Sequence, residues 1–216
     1  MTEKKLMQKA LILAVVTIAY NVLEGIISVF FGASDETLAL FGFGVDSFVE
    51  VISGVGILHM VMRMKKADLQ DISSRDTFEK QALRITGTAF YILTTGLIIG
   101  SIISIVLHKK PETTLAGIII SSISILTMFV LMKMKLKTGR DLKSDAIIAD
   151  ANCTKTCFYL SFILLVSSGL YELFGIVWFD IGGSLGIAWF AFKEGREAFE
   201  KAKIGKISCS YEHKNR

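Results

Sequence analysis

The stretch SDAIIADANCTKTC, residues 144–157, lies at the start of a long apolar run and still carries two carboxylates, a lysine and two thiols. On an α-helix, residues four apart lie on the same face, so Cys153 and Cys157 point the same way. Asp150 precedes them by about one turn. The stretch therefore predicts a helix with a cluster of chemically active side chains near its start.

A second apolar stretch, ALFGFGVDSFVEVIS at residues 39–53, holds Asp46 and Glu50 at the same four-residue spacing. One shift along the chain superimposes Asp46 on Cys153 and Glu50 on Cys157. Two acids on one helix face repel each other unless a cation or a proton lies between them. If the two helices face each other, the four side chains form a pocket for one metal ion.

The composition indicates a membrane protein. Hydrophobic residues make up 52% of the 216 residues, only one residue is proline, and the mean hydropathy is +0.55. Apolar runs of about 20 residues are long enough to cross a bilayer as helices. We predict an all-α bundle of six membrane spans, with short linkers that make neighbouring helices antiparallel. The predicted spans are residues 9–32, 36–64, 81–107, 114–134, 143–171 and 174–193.

The basic residues predict the orientation of the bundle. If alternate loops are assigned to the two sides of the membrane, 21 of the 24 Lys and Arg residues fall on the side of the N-terminus. The positive-inside rule then places both termini in the cytoplasm of a multi-pass protein in the cell (inner or plasma) membrane. The net charge of +4 is explained by this topology and by lipid headgroups, so we expect no nucleic-acid partner.

The predicted domain organisation is a six-span transmembrane unit over residues 1–204 and a short polar cytoplasmic tail over residues 205–216. The opening apolar run is too long for a signal peptide and has no cleavage site, so we expect it to remain as a span. The three cysteines exclude an extracellular disulfide framework.

Several ionisable residues lie within the apolar segments, where each costs at least about 2.5–3.5 kcal/mol near the bilayer centre. Such residues mark a transport pathway or a paired site by default. The alternative is a buried ion pair, for example between Lys155 and a carboxylate on another helix. Asn21 lies about one turn from Glu24 and supports a pathway there. The ionisable set comprises Glu24, Asp46, Glu50, Asp150, Lys155 and Asp180.

Three interpretations of the paired cysteines remain open: metal binding, inert packing and redox pairing. Cysteines four apart on one helix rarely reach the Cβ separation of about 3.5–4.5 Å that a disulfide needs. The match between Cys153–Cys157 and the acid pair Asp46–Glu50 favours metal binding.

Two carboxylates and two thiolates supply a tetrahedral ligand set that suits Zn²⁺ or Cd²⁺ and suits Mg²⁺ or Ca²⁺ poorly. The thiolates shift the preference towards soft ions such as Cd²⁺, Cu⁺ or Hg²⁺. A free thiol has a pKa of about 8.5, so metal loading at neutral pH releases up to roughly two protons. No Walker-type nucleotide loop is present, so the energy must come from an ion gradient.

The pattern resembles the cation diffusion facilitator family, whose six-span members bind metal between the second and fifth helices. The sequence Asp46-Ser-Phe-Val-Glu50 looks like the family's first acidic pair, with Glu in the second position. Residues 149–153, ADANC, resemble the family's A-D-A-x-H, with Cys153 in place of the histidine. Cys157 occupies the position of the closing aspartate, and Asp180 near the start of the sixth span is also similar to family usage.

The resemblance implies a secondary transporter, not an enzyme, that exports Zn²⁺ or Cd²⁺ from the cytoplasm in exchange for protons. It covers the membrane domain only, because the chain has no counterpart of the family's usual cytoplasmic C-terminal domain. The expected partners are the metal cation, protons and the lipid bilayer, and the transported ion replaces any cofactor. The expected metal ligands are Asp46, Glu50, Cys153 and Cys157, and the expected supporting or pathway residues are Asp150, Glu24, Asn21 and Asp180.

Two further interpretations belong to other functional classes: a membrane thiol-redox protein, and a metal-binding protein that does not transport. A small-residue face at Gly182, Gly183 and Gly186 predicts either a contact between helices or a homodimer contact through the membrane helices. Ordinary glycine enrichment in membrane helices explains this face equally well.

Overall fold

A computed structural model of the protein describes residues 3–35, 37–66 and 77–204. Within these ranges the chain forms six α-helices and no strand, which confirms the all-α prediction. Five of the described helices, α1 to α5, are long and apolar enough to cross a membrane. The predicted tail, 205–216, lies outside the described residues. The helices are α1 (Glu3–Ser34), α2 (Leu38–Lys66), α3 (Thr77–Val106), α4 (Leu115–Asp141), α5 (Asp145–Phe174) and α6 (Trp178–Ile204).

Several helix boundaries differ from the predicted spans, and the largest difference is the end of α6 at Ile204 instead of residue 193. The fourth helix continues to Asp141 rather than ending at residue 134, because polar residues of its last turns are buried against α5. The fifth helix continues to Phe174, where the sixth span was predicted to begin. Gly175 then ends it in the left-handed conformation (φ 64°), and its N–H donates to the carbonyl of Tyr171. This is a common helix C-terminus, which glycine adopts without a steric penalty.

The helices form a closed ring in the order α1, α2, α3, α6, α5, α4 and back to α1. Helix α2 is displaced from the ring towards its middle, because it also contacts α5 and α6 in addition to its neighbours α1 and α3. Adjacent helices are antiparallel, because residue numbers rise on one helix as they fall on its neighbour. The pairs Asn21–Glu50 and Glu24–Ser47 show this for α1–α2, and the pairs Ser124–Ser161 and Lys135–Asp150 show it for α4–α5. The predicted contact between α2 and α5 is therefore present.

The surface of the bundle is apolar, as a lipid environment requires. Large side chains such as Leu126 and Leu173 are 70% and 78% exposed, whereas Phe43 and Leu164 are buried at the junction of the central helices. Soluble monomers rarely expose contiguous apolar patches larger than a few hundred Å². The exposed apolar residues therefore mark the faces that contact lipid.

Carboxylates cap the starts of α2 and α4 at one end of the bundle. Asp180 accepts hydrogen bonds from the backbone N–H groups of Leu38 (3.1 Å) and Ala39 (3.2 Å). Glu172 accepts from the backbone N–H of Thr114 at 3.1 Å and from its hydroxyl at 3.0 Å. The first N–H groups of a helix lack partners within the helix, and its dipole favours negative charge there. Asp180, predicted as a supporting or pathway residue, thus joins α6 to the start of α2.

The glycine face of α6 contributes to contacts between helices. A side chain at Gly183 would collide with Ser167, and one at Gly186 would press on Ile163, so both glycines allow α6 to approach α5 closely. Gly182 faces open space. Of the expectations for this face, the contact between helices is the one that the positions of Gly183 and Gly186 support.

Replacing Asp180 by alanine is expected to destabilise the fold by about 1–2 kcal/mol, because two buried N–H groups lose their acceptor and the dipole of α2 loses its countercharge. The measurement is the thermal unfolding midpoint in detergent. Glu112→Ala, which removes an exposed carboxylate at the same end of the bundle, is the control. Equal midpoints for the two variants would contradict the capping role.

Candidate metal centre

The centre of the candidate site is a contact between α2 and α5. The thiol Sγ of Cys157 donates to Oε1 of Glu50 at 2.6 Å. Cys157 is 5% exposed, and Glu50 also accepts a hydrogen bond from Nδ2 of Asn21 on α1 at 3.0 Å through its second oxygen. One acid and one thiol of the predicted ligand set therefore meet inside the bundle, and the predicted supporting residue Asn21 holds the acid.

Asp46 and Cys153 lie on either side of this contact. Asp46 is one turn from Glu50 on α2, is only 2% exposed, and its Oδ1 has no hydrogen-bond partner in the described part of the chain. Cys153 is one turn from Cys157 on α5 and is half-buried. Both cysteines are free thiols. Cys153 contributes its backbone carbonyl, which accepts from Cys157 Sγ at 3.5 Å.

The register of the two helices explains why the four side chains do not converge. Helices α2 and α5 are antiparallel, and Glu50 lies level with Cys157, so Asp46 and Cys153 extend in opposite directions. A rise of 1.5 Å per residue puts those two about 12 Å apart along the bundle axis. Accordingly, no three His, Cys, Asp or Glu side chains among the described residues are grouped closely enough to hold a metal ion. The four-ligand pocket remains a prediction, and gathering it requires α5 to move by about one turn, or 6 Å, along α2.

A cavity of about 50 Å³ lies next to the Glu50–Cys157 contact, and a second cavity of the same size adjoins it. One cavity is lined by both of these residues and by Asn21, and the other extends towards the end of the bundle where α3 begins, near Glu79. We call this end, which carries most of the basic residues, the basic end. Six residues line both cavities: Ser53, Ile57, Phe90, Asp150, Cys153 and Glu194. The shared lining places Cys153 between the basic end and the central contact.

A buried ion pair lies beside the site, but not where the sequence predicted it. Lys135 on α4 contacts Asp150 at 2.9 Å and donates to the hydroxyl of Thr154 at 3.0 Å. Lys155, the predicted candidate, is exposed, and its ammonium lies 5.6 Å from the centre of the Tyr159 ring. Asp150, predicted as a supporting residue, is thus neutralised by a lysine that the sequence analysis assigned to a cytoplasmic loop.

The signal that identifies Lys135 is helical periodicity. Met128, Leu131, Lys135 and Thr138 follow one another at spacings of three and four residues, and all four are buried. This is one face of a helix that continues past residue 134. Extending the periodic pattern, instead of ending the span at the first charges, would have placed Lys135 inside the bundle.

Glu194 is the second site residue that the sequence analysis missed. It follows the predicted end of the sixth span by one residue, whereas α6 continues to Ile204. Its Oε1 accepts from the hydroxyl of Thr156 on α5 at 3.0 Å, and it lines both cavities. Glu194 therefore adds an acid from α6 to Glu50, Glu79 and Asp150, which also line the cavities.

Glu24, another predicted pathway residue, lies on α1 beside the site. Its Oε2 accepts from the hydroxyl of Ser47 on α2 at 3.1 Å, and its Oε1 has no partner in the described part of the chain. The side chain is 6% exposed. Glu24 and Asn21 thus bring α1 into the polar interior that α2 and α5 share.

The central contact joins groups that can both bind a cation after losing a proton. In the hydrogen bond, the thiol proton lies between sulfur and the carboxylate, in the position that a cation bound to both groups would take. No family model matches the chain, and no curated protein matches it. The chemistry and placement of these side chains therefore carry the functional assignment.

Replacing Lys135 by methionine is expected to cost about 3–5 kcal/mol in the free energy of unfolding, because Asp150 would remain buried without a countercharge. The double variant Lys135→Met/Asp150→Leu should recover most of this loss, since it removes both charges. Unfolding in detergent measures each change, and Lys133→Met removes an exposed neighbouring lysine as control. If the double variant instead loses as much stability as Lys135→Met and Asp150→Leu together, the lost ion pair does not explain the destabilisation.

Proposed function

We propose that the protein is a secondary transporter that exports a soft or borderline divalent cation, Zn²⁺ or Cd²⁺, from the cytoplasm in exchange for protons. The observation that carries the proposal is the contact between the Glu50 carboxylate and the Cys157 thiol, inside the bundle and across two helices. A carboxylate inside a membrane bundle is expensive to bury and marks a site by default, and the thiol beside it adds a soft ligand.

The ligand chemistry defines the substrate class. Sulfur ligands favour Zn²⁺, Cd²⁺ and softer ions, and carboxylates compensate the ion's double charge. Glu50 and Cys157 supply the first two ligands, and Asp46 with its unpartnered oxygen and Cys153 complete a set of two oxygens and two sulfurs. Hard ions such as Mg²⁺ and Ca²⁺ prefer six or more oxygens, which this set lacks.

Exchange with protons follows from the same ligands. A thiol must lose its proton before it binds a metal, so loading releases protons and protonation of the thiolates expels the ion. The hydrogen-bonded Glu50–Cys157 pair is the protonated, metal-free form of the pair that binds the ion. A site that opens to each side in turn therefore exchanges one ion for up to about two protons.

The bundle offers an approach to the site and a motion that completes it. The two adjoining cavities approach the Glu50–Cys157 contact from the basic end, which the positive-inside rule assigns to the cytoplasm. A displacement of α5 along α2 by about 6 Å would bring Asp46 level with Cys157 and Glu50 level with Cys153. Binding of the metal ion then draws the Asp46–Cys157 pair and the Glu50–Cys153 pair together around it.

The resemblance to the cation diffusion facilitator family supports the same function. In the proposed scheme the chain is a member of that type with both termini in the cytoplasm, and a Cys-xxx-Cys pair replaces the fifth-helix ligands. A homodimer through the membrane helices belongs to the proposal as its assembled form. The cysteine exchange shifts the preferred ion from Zn²⁺ towards Cd²⁺.

Cys157→Ser is expected to weaken Cd²⁺ binding by roughly 10- to 100-fold, because a serine hydroxyl stays protonated at neutral pH and is a hard ligand. Equilibrium binding to the detergent-solubilised protein, followed by the ultraviolet band of the Cd–thiolate bond, measures the change. Cys209→Ser, which alters the one cysteine outside the described residues, should bind like the wild-type protein. Unchanged binding in both serine variants would refute the metal centre.

Proton release provides the second test. Adding Cd²⁺ to the protein in weak buffer at pH 7 should release up to about two protons per ion, and Cys153→Ser should lower the number by about one. In proteoliposomes the same ions should drive proton movement in the opposite direction, and Glu50→Ala should abolish it. Tight binding with no flux would instead indicate a metal-binding protein, and reversible loss of two thiols under oxidant would indicate a redox protein.

A further inference from the structure

Buried polar atoms without a hydrogen-bond partner are concentrated on α1 and α2. Among the described residues, six buried side-chain nitrogen or oxygen atoms have no partner, and four of them are on these two helices. None of the four side chains is more than 6% exposed. Folded proteins pair nearly all buried polar groups, so this concentration indicates a ligand beyond the protein's own side chains. The four atoms are Asn21 Oδ1, Glu24 Oε1, Ser28 Oγ and Asp46 Oδ1.

Three of these residues, Asn21, Glu24 and Ser28, form a polar stripe along one face of α1. Their spacing of three and four residues keeps them on the same side of the helix over about 10 Å. The stripe begins at the candidate metal centre, because Asn21 donates to Glu50. It continues through Glu24, which is held by Ser47, and runs away from the basic end.

The spacing of the stripe suits a proton better than a metal ion. Successive groups lie about one turn, or 5.4 Å, apart, and one water molecule with two hydrogen bonds of about 2.7–2.8 Å spans that distance. A metal ion instead needs its ligands gathered around one point at about 2.0–2.6 Å. Groups strung along a helix at single-water intervals can pass a proton from one to the next.

Glu24 is the titratable member of the stripe, and its surroundings leave it free to exchange a proton. The titratable groups around it are Tyr20 on its own helix, Asp46 and Glu50 on α2 and Cys157 on α5, and α4 contributes the hydroxyl of Ser124. None of the ion pairs in the described part of the chain includes Glu24. Unlike Asp150, which Lys135 neutralises, Glu24 has no fixed countercharge among the described residues.

We propose that Glu24 is a proton-binding site that supplies the metal centre with protons from the end of the bundle opposite the basic end. The inference rests on the proposed function and identifies the route of its coupling ion. At that end an O–H bond of a hydronium ion breaks, an O–H bond forms on the Glu24 carboxylate, and a water molecule is left. As the metal–thiolate bond at Cys157 breaks, the Glu24 O–H bond breaks, the proton passes the Asn21 turn through water, and an S–H bond forms on Cys157.

The test separates two modes of transport in proteoliposomes. Exchange of Cd²⁺ for protons, followed with a pH-sensitive dye, needs a proton carrier, whereas exchange of radioactive Cd²⁺ for unlabelled Cd²⁺ at equal pH does not. Glu24→Gln keeps the shape of the side chain and an acceptor for Ser47, but its amide does not gain or lose a proton near neutral pH. We expect Cd²⁺/H⁺ exchange to fall about 10²-fold, a loss typical of a missing acid–base group, while Cd²⁺/Cd²⁺ exchange and Cd²⁺ binding are retained.

Two variants accompany this measurement. Glu24→Asp keeps a carboxyl group and should restore most of the proton exchange. Glu112→Gln, the same substitution at an exposed position, should leave both modes unchanged.

Three results would overturn the inference: normal Cd²⁺/H⁺ exchange in Glu24→Gln, loss of both modes, which would make the role of Glu24 structural, or flux that follows a Na⁺ gradient instead of pH. Failure of the proposed function itself is recognised separately, because the wild-type protein would then show neither Cd²⁺ binding nor Cd²⁺/Cd²⁺ exchange.

Discussion

The interior of a membrane bundle offers almost no water, so each ionisable side chain in it needs a partner from the protein. Asp180 finds its partners in the first N–H groups of α2, and Asp150 finds Lys135. Both arrangements join a carboxylate to a positive group or dipole that stays in place. Glu50 differs, because its partner across the bundle is the neutral thiol of Cys157. In the proposed function the proton in that contact is exchanged for a metal ion, whereas Asp180 and Asp150 keep structural partners.

The position of α2 turns these pairings into one connected system. Helix α2 receives its cap from α6 through Asp180, a hydrogen bond from α1 through Asn21, and the thiol contact from α5 through Cys157. A movement of α5 along α2 therefore changes the partner of Glu50 without releasing the cap or the contact with α1. The Lys135–Asp150 ion pair joins α4 to α5, so it persists through such a movement only if α4 moves together with α5.

The sequence predicts the helices and the composition of the site because both depend on local patterns. Apolar runs locate the helices, and four-residue spacing places Asp46 with Glu50 and Cys153 with Cys157 on single faces. The burial of Lys135 was missed because its partner lies on another helix, and a lysine beyond an apolar run resembles a loop residue. Whether such a charge lies inside depends on tertiary pairing, which hydropathy does not report.

The register of α2 against α5 could not be predicted for the same reason, because it also depends on tertiary contacts. A helix sequence determines which residues share a face, but not their height relative to a neighbouring helix, because sliding by one turn preserves every face. Contacts outside the site set that height, among them the cap at Asp180 and the close approach of α5 to α6 at Gly183. Glutamate at position 50, one methylene longer than the aspartate of the family pattern, extends the reach of its carboxylate along the bundle. In the proposed exchange, that extra length would let Glu50 bind Cys157 in the observed register and Cys153 after a one-turn shift.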